Sequence, residues 1–140
     1  MDIPLSCGTL IVNTSRQLLL CHVTNTPRWD IPKGLQDPGE TPLQAARREL
    51  FEEAGLRLDE ELFSDLGEFE YRRDKRLHLF KVEAADGLCA LDELRCTSFY
   101  PHPLTGAATP ECDGFRWASR SDIAALCWPR MGQRLLALEW

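Results

Sequence analysis

The stretch GLQDPGETPLQAARRELFEEAGL, residues 34–56, decides the fold. Thr41 is a good N-cap, Pro42 suits the first helical position, and Gln44 completes a capping box. Leu43, Ala46, Leu50 and Ala54 then recur at helical spacing, and Gly55 supplies the stop. These signals predict a helix over 42–54. Its other side is crowded with acid. Glu49 and Glu53 lie about 40° apart around the axis, and Glu52 lies about 60° from Glu49 on the opposite side. Like charges at such spacing repel by about 0.2–0.5 kcal/mol per pair on an exposed helix. An ordinary solvated face would tolerate this, since charged faces are usually exposed. Three oxygen donors on a rigid helix also make a site for a hard cation, where the repulsion is relieved on binding. Mg2+ suits such a site, with Mn2+ as the alternative, because it takes few carboxylates, keeps waters and bridges to phosphates.

The preceding loop belongs to the same unit. Pro38-Gly39 form a tight turn that brings backbone groups, Gly34 among them, toward the glutamate face. Glu40 sits at the helix start, where the dipole favours an anion. Arg48 precedes Glu52 by four residues and can orient its carboxylate.

The chain has 140 residues, 44% hydrophobic and 27% charged, which suits a single domain over 1–140. No apolar run approaches the roughly 18 residues that span a bilayer, and the N-terminus lacks a signal-peptide pattern. The expectation is a cytoplasmic protein with no membrane partner. The six cysteines include no CxxC and no histidine at ligand spacing, so they read as reduced, buried small hydrophobes. A net charge of -6 argues against broad attraction to nucleic acid, though not against a local basic pocket. It does not define an oligomeric state.

Residues 7–13 and 17–23 read as a hairpin, and 24–34 as loop with a short extended piece. Residues 66–73 and 76–84 alternate as strands around a turn at Asp74 and Lys75. Residues 86–113 read as a long irregular loop, functional or mobile. A strand over 114–119, a short helix over 122–126 capped by Ser121, and a helix over 130–138 packing Leu135, Leu136 and Leu138 complete the chain. This order implies an α/β fold, a mixed sheet with helices packed on it.

The opening stretch resembles the Nudix box of the Nudix hydrolases: glycine, five residues, glutamate, seven residues, then Arg-Glu-apolar-any-Glu-Glu-any-Gly-apolar. Gly34, Glu40, Arg48, Glu49, Leu50, Glu52, Glu53, Gly55 and Leu56 match every fixed position, and the strand order around them is also similar to the family. The resemblance implies an α/β/α sandwich, with 42–54 as the catalytic helix. It implies metal-dependent cleavage of a diphosphate in a nucleoside diphosphate linked to another group. It makes Glu52 and Glu53 metal ligands, Glu49 a ligand or the base, the Gly34 carbonyl a ligand, and Arg48 and Glu40 orienting residues.

TPECDGFRWAS (109–119) resembles a segment of bacterial RNA pyrophosphohydrolases, which implies that Glu111 is a further metal ligand or base, with Asp113 as competitor. WDIPKG (29–34) resembles the approach to the box in dinucleoside polyphosphate hydrolases and diphosphoinositol phosphohydrolases. Lys33 stands where RNA pyrophosphohydrolases usually carry glutamine; it reads as a phosphate contact or a solvated lysine. Trp29 reads as a stacking platform for a base or as packing at the sheet edge. RRDKR (72–76), which includes Arg73, reads as a polyphosphate contact or as a turn kept soluble by charge.

The reading that takes first place is a pyrophosphohydrolase of small nucleotides, dinucleoside polyphosphates above all. The alternatives are RNA 5′-triphosphate pyrophosphohydrolysis, house-cleaning of nucleoside triphosphates, and a non-catalytic nucleotide-binding module.

Overall fold

The unbroken apolar run LSCGTLIV becomes strand β1 (Leu5–Val12), seven of whose eight residues are buried. A strand buried on both faces needs cover on both sides, and the computed structural model, which describes residues 3–140, supplies it. β2 (Leu18–Val23), β3 (Trp29–Asp30) and β4 (Lys33–Leu35) lead into helix α1 (Pro42–Ala54). The hairpin of β5 (Ser64–Arg72) and β6 (Lys75–Glu83) follows. After it come the short strands β7 (Phe99–Pro101) and β8 (Ala108–Pro110), then β9 (Cys112–Ala118), α2 (Arg120–Leu126) and α3 (Pro129–Leu136).

β6 runs parallel to β1 along its whole length, from Leu5 opposite Arg76 to Val12 opposite Glu83. The other edge of β1 is shared. β2 meets it at Val12, while β4 pairs antiparallel lower down, with Cys7 opposite Gly34. β2 carries the sheet onward to β9, and β5 closes the far edge beside β6. The sheet is therefore mixed, and its strand alternation divides the core. Leu10, Val12, Leu77 and Leu79 pack with Ile123, Met131 and Leu135 of α2 and α3. Ile11, Leu19 and Val82 pack against Leu50 and Ala54 of α1. The result is the expected α/β/α sandwich.

α1 spans the residues the sequence predicts. Thr41 and Gln44 form the capping box, Pro42 opens the first turn, and Gly55 ends the helix at a φ of 73°. The other elements differ in detail. The β5–β6 turn falls at Arg73 and Asp74, one residue earlier than expected. Ser119, not Ser121, caps α2, because Asp122 at N3 accepts a hydrogen bond from the Ser119 backbone N–H. α3 starts at Pro129 and stops at Leu136; Leu135 is buried, but Leu136 is exposed. The segment read as irregular carries the β7–β8 hairpin, whose strands are too short to announce themselves. All six cysteines are free and five are buried. No described helix is long and apolar enough to cross a membrane.

Leu50 is fully buried between α1 and the sheet. Leu50→Ala is expected to cost about 2–5 kcal/mol in urea unfolding, because the rigid helix cannot close the cavity it leaves.

Candidate active site

α1 turns Glu49 and Glu53 toward β4 rather than to bulk solvent. Glu49 and Glu53 are each only 8% exposed. Pairing of Gly34 with Cys7 pins β4 across the helix, and the missing side chain of Gly34 leaves room for Glu49: a Cβ there would fall inside the Glu49 carboxylate. Burial raises the pKa of Glu49, with Arg48 opposing, and neighbouring Glu52 and Glu111 add to the rise. Glu53 is raised well above the ordinary glutamate value, first by burial and then by the charges around it. It accepts a hydrogen bond from the backbone N–H of Lys33 at 3.3 Å, and the Cys112 Sγ stands 3.9 Å away.

Arg48 does more than orient Glu52. Its guanidinium reaches Glu40 at 2.8 Å, Glu49 at 2.8 Å, Glu52 at 3.2 Å and Asp37 at 3.4 Å, and it donates to the Leu35 carbonyl at 2.8 Å. One cation thus carries part of the compensation that the sequence reading assigned to a metal alone. It also ties the loop 35–40 to the helix. Glu40, bonded to Arg48 and to the Asp37 N–H, has its pKa lowered, chiefly by that arginine.

A cavity of about 360 Å³ opens at Glu53 and is lined also by Glu111, Lys33, Asp30, Cys21, Cys112, Tyr100 and Trp128. Glu111 is held by its backbone, which bonds to Thr24 and Ser98, while its residue remains exposed. Asp113 pairs with His22 and does not line this cavity. Lys33 is not a solvated lysine. Its side chain is 17% exposed and its ammonium lies 3.3 Å from Asp30. Burial works against its charge, but Asp30 and Glu53 outweigh burial and its pKa is raised.

A second cavity, about 500 Å³, shares Asp30, Lys33 and Trp128 with the first and adds Tyr71, Arg72, Lys75, Pro129 and Arg130. Arg73 lies exposed in the turn and does not line it; its neighbours Arg72 and Lys75 do. Trp29 is half-buried, edge-on to His22 and beneath Arg116, and packs against the α2–α3 core. The indole lining both cavities belongs to Trp128. Asp30, Trp128 and Arg130 escaped the sequence reading because they come from two segments about a hundred residues apart in the chain. The only signal was the WDIPKG run, which contains Asp30.

Among the described residues, no three His, Cys, Asp or Glu side chains form a ready-made metal cage. The donor chemistry nonetheless fits a hard divalent cation. The acidic groups present oxygen, and the carbonyl-bearing backbone of Gly34 approaches Glu49 as only a glycine can.

The α/β/α sandwich thus gathers the α1 carboxylates around one arginine and sets Glu53 at the wall of a polar cavity. The chain belongs to the NUDIX domain family, whose model matches residues 3–137, and is a hydrolase of that family. It is 32% identical over 136 residues to a 17.7 kDa uncharacterised protein of Enterobacteria phage T4, covering 91% of this chain and 89% of the phage protein. It is 33% identical over 121 residues to an RNA pyrophosphohydrolase of Pectobacterium atrosepticum, covering 80% of this chain. The chain spans only 66% of that enzyme's length. A C. elegans Ap4A hydrolase shares the fold with a TM-score of 0.61 at 22% identity, covering 95% of this chain and 93% of that one.

Glu53 gives a pH prediction. An acid raised in the folded state stabilises the fold below its unfolded pKa, and that contribution is lost as pH rises through the folded value. In chelator-treated protein at pH 7, Glu53→Gln should therefore raise the melting temperature, by about 3 °C per kcal/mol recovered at this chain length. The gain should shrink near pH 4.5. Thermal melts at both pH values measure it.

Proposed function

We propose that this Nudix hydrolase, whose reaction is cleavage of a nucleotide-linked diphosphate, acts on dinucleoside polyphosphates or nucleotides of similarly extended charge. One observation carries the reading: the carboxylate cavity continues, through Lys33 and Trp128, into a cavity lined by Arg72, Lys75 and Arg130. A phosphate chain longer than the diphosphate being cut has cations to meet there, and Tyr71 and Trp128 offer rings to a second base. Burial first, and then the like charges of Lys33 and Arg72, lower the Lys75 pKa.

In this reading Glu52 and Glu53 would hold Mg2+, with Glu49 and the Gly34 carbonyl completing the donor set. The ion, when bound, neutralises phosphate charge and acidifies water. Arg48 keeps Glu49 and Glu52 in place. Glu111 is the base, because Glu49 is engaged by Arg48 whereas the Glu111 carboxylate is not. The water proton passes to Glu111 as the water oxygen bonds to phosphorus. The bridging P–O bond breaks, and its electron pair leaves with the departing phosphate. Lys33, held by Asp30, contacts phosphate. The second reading, RNA 5′-end pyrophosphohydrolysis, is favoured by the likeness to the Pectobacterium enzyme.

The test is a panel of dinucleoside polyphosphates, nucleoside triphosphates, nucleotide sugars and 5′-triphosphorylated RNA, run at several Mg2+ concentrations. The expected result is highest kcat/KM on a dinucleoside polyphosphate, falling about 10²–10⁴-fold in kcat in Glu111→Gln. The paired change R72Q/K75Q should raise KM more for long phosphate chains than for short ones. Selective release of diphosphate from RNA would move the assignment to the second reading.

A further inference from the structure

A third cavity, about 380 Å³, lies against α1 and the segment after it, lined by Gln44, Arg47, Arg48, Leu50, Phe51, Arg57, Leu58 and Phe63. It shares no lining residue with the two cavities described above. Its volume falls in the lower part of the range for small-molecule sites. Arg48 at its edge is committed to four carboxylates. The other two arginines are not: among the described residues, neither Arg47 nor Arg57 pairs with a carboxylate. That is unusual company in a chain of net charge -6.

Both arginines are positioned. Arg47 uses its Nε to donate to the Leu58 carbonyl at 3.1 Å, which fixes the guanidinium plane and leaves its terminal nitrogens without a protein acceptor. Arg57 sits over the Phe51 ring, its guanidinium carbon 3.8 Å from the centroid, the distance of a stacked contact. A stacked guanidinium keeps its edge free for oxygen anions and its outer face free for a further planar group. Phe63 adds a second ring to the wall, and it is half-buried against the α1 side of the core. A paired arginine edge recognises phosphate bidentately. The guanidinium–phenyl stack recognises a flat, weakly polar ring.

We propose that this cavity is a second binding site, outside the carboxylate cavity and on the far side of Arg48, for a phosphate monoester carried on a flat ring, the chemistry of a nucleoside monophosphate. Arg47 and Arg57 take the phosphate, and the Arg57–Phe51 stack with Phe63 takes the ring. The assignment goes beyond the reaction and needs no substrate identity.

The experiment is an NMR titration of chelator-treated, 15N-labelled protein with AMP, adenosine and inorganic phosphate in parallel. Removing the divalent ion keeps turnover out of the measurement, so its outcome is independent of the substrate panel. AMP is expected to shift the Arg47 and Arg57 Nε–H and Phe51 amide signals saturably, at least tenfold more tightly than adenosine or phosphate alone. R47Q/R57Q should abolish the Phe51 amide shift and leave any at Lys33 and Glu111 in place. Arg57→Lys, which keeps the charge and loses the flat stack, should weaken AMP severalfold. AMP shifts confined to the Lys33 and Glu111 side, equal affinity for phosphate and AMP, or unchanged binding in R47Q/R57Q would each overturn the assignment. Because the wild-type signals report directly on both arginines, the result stands even if a variant folds poorly.

Discussion

Five acidic side chains on α1 and the loop before it stand closer together than their mutual repulsion favours, and a single guanidinium holds four of them. Arg48 reaches Asp37, Glu40, Glu49 and Glu52 at once. A charged group taken from water must find a partner, and here one planar cation with five N–H donors serves several. Its further bond to the Leu35 carbonyl fastens the loop to the helix. Loop, helix and site thereby become one rigid body.

Glu53 is the member that Arg48 does not hold. It is buried beside Cys112, and its partner in the chain is a backbone N–H. The fold therefore keeps a carboxylate under strain of desolvation at the cavity wall. Such a cost persists where function uses it. The sheet makes it unavoidable: β4 pairs with β1 across the helix, so the strand backbone and the glutamates must share one seam.

Charge is unevenly distributed over this acidic molecule. The hairpin of β5 and β6, the start of β4 and the start of α3 contribute cations to one cavity. The flank of α1 contributes two more arginines to another. A negative total is compatible with both, because fields within a cleft are set by the groups that line it and are screened over roughly 10 Å. Composition says little about which anions such a chain can bind.

The helix, its caps, the carboxylate spacing and the first strand were legible in the sequence. Each depends on contacts a few residues apart, or on a periodicity that neighbouring residues express together. The place of Glu111 was legible too, through the motif around it. Tertiary structure alone decided the rest. It moved the α2 cap to Ser119, where a side-chain bond selects among nearby serines. It buried Lys33 against Asp30, and it chose Trp128 over Trp29 and Arg72 over Arg73 as cavity walls. Those choices depend on which strands lie side by side and which way each side chain then faces, and residues far apart in the chain carry no local signal of that pairing.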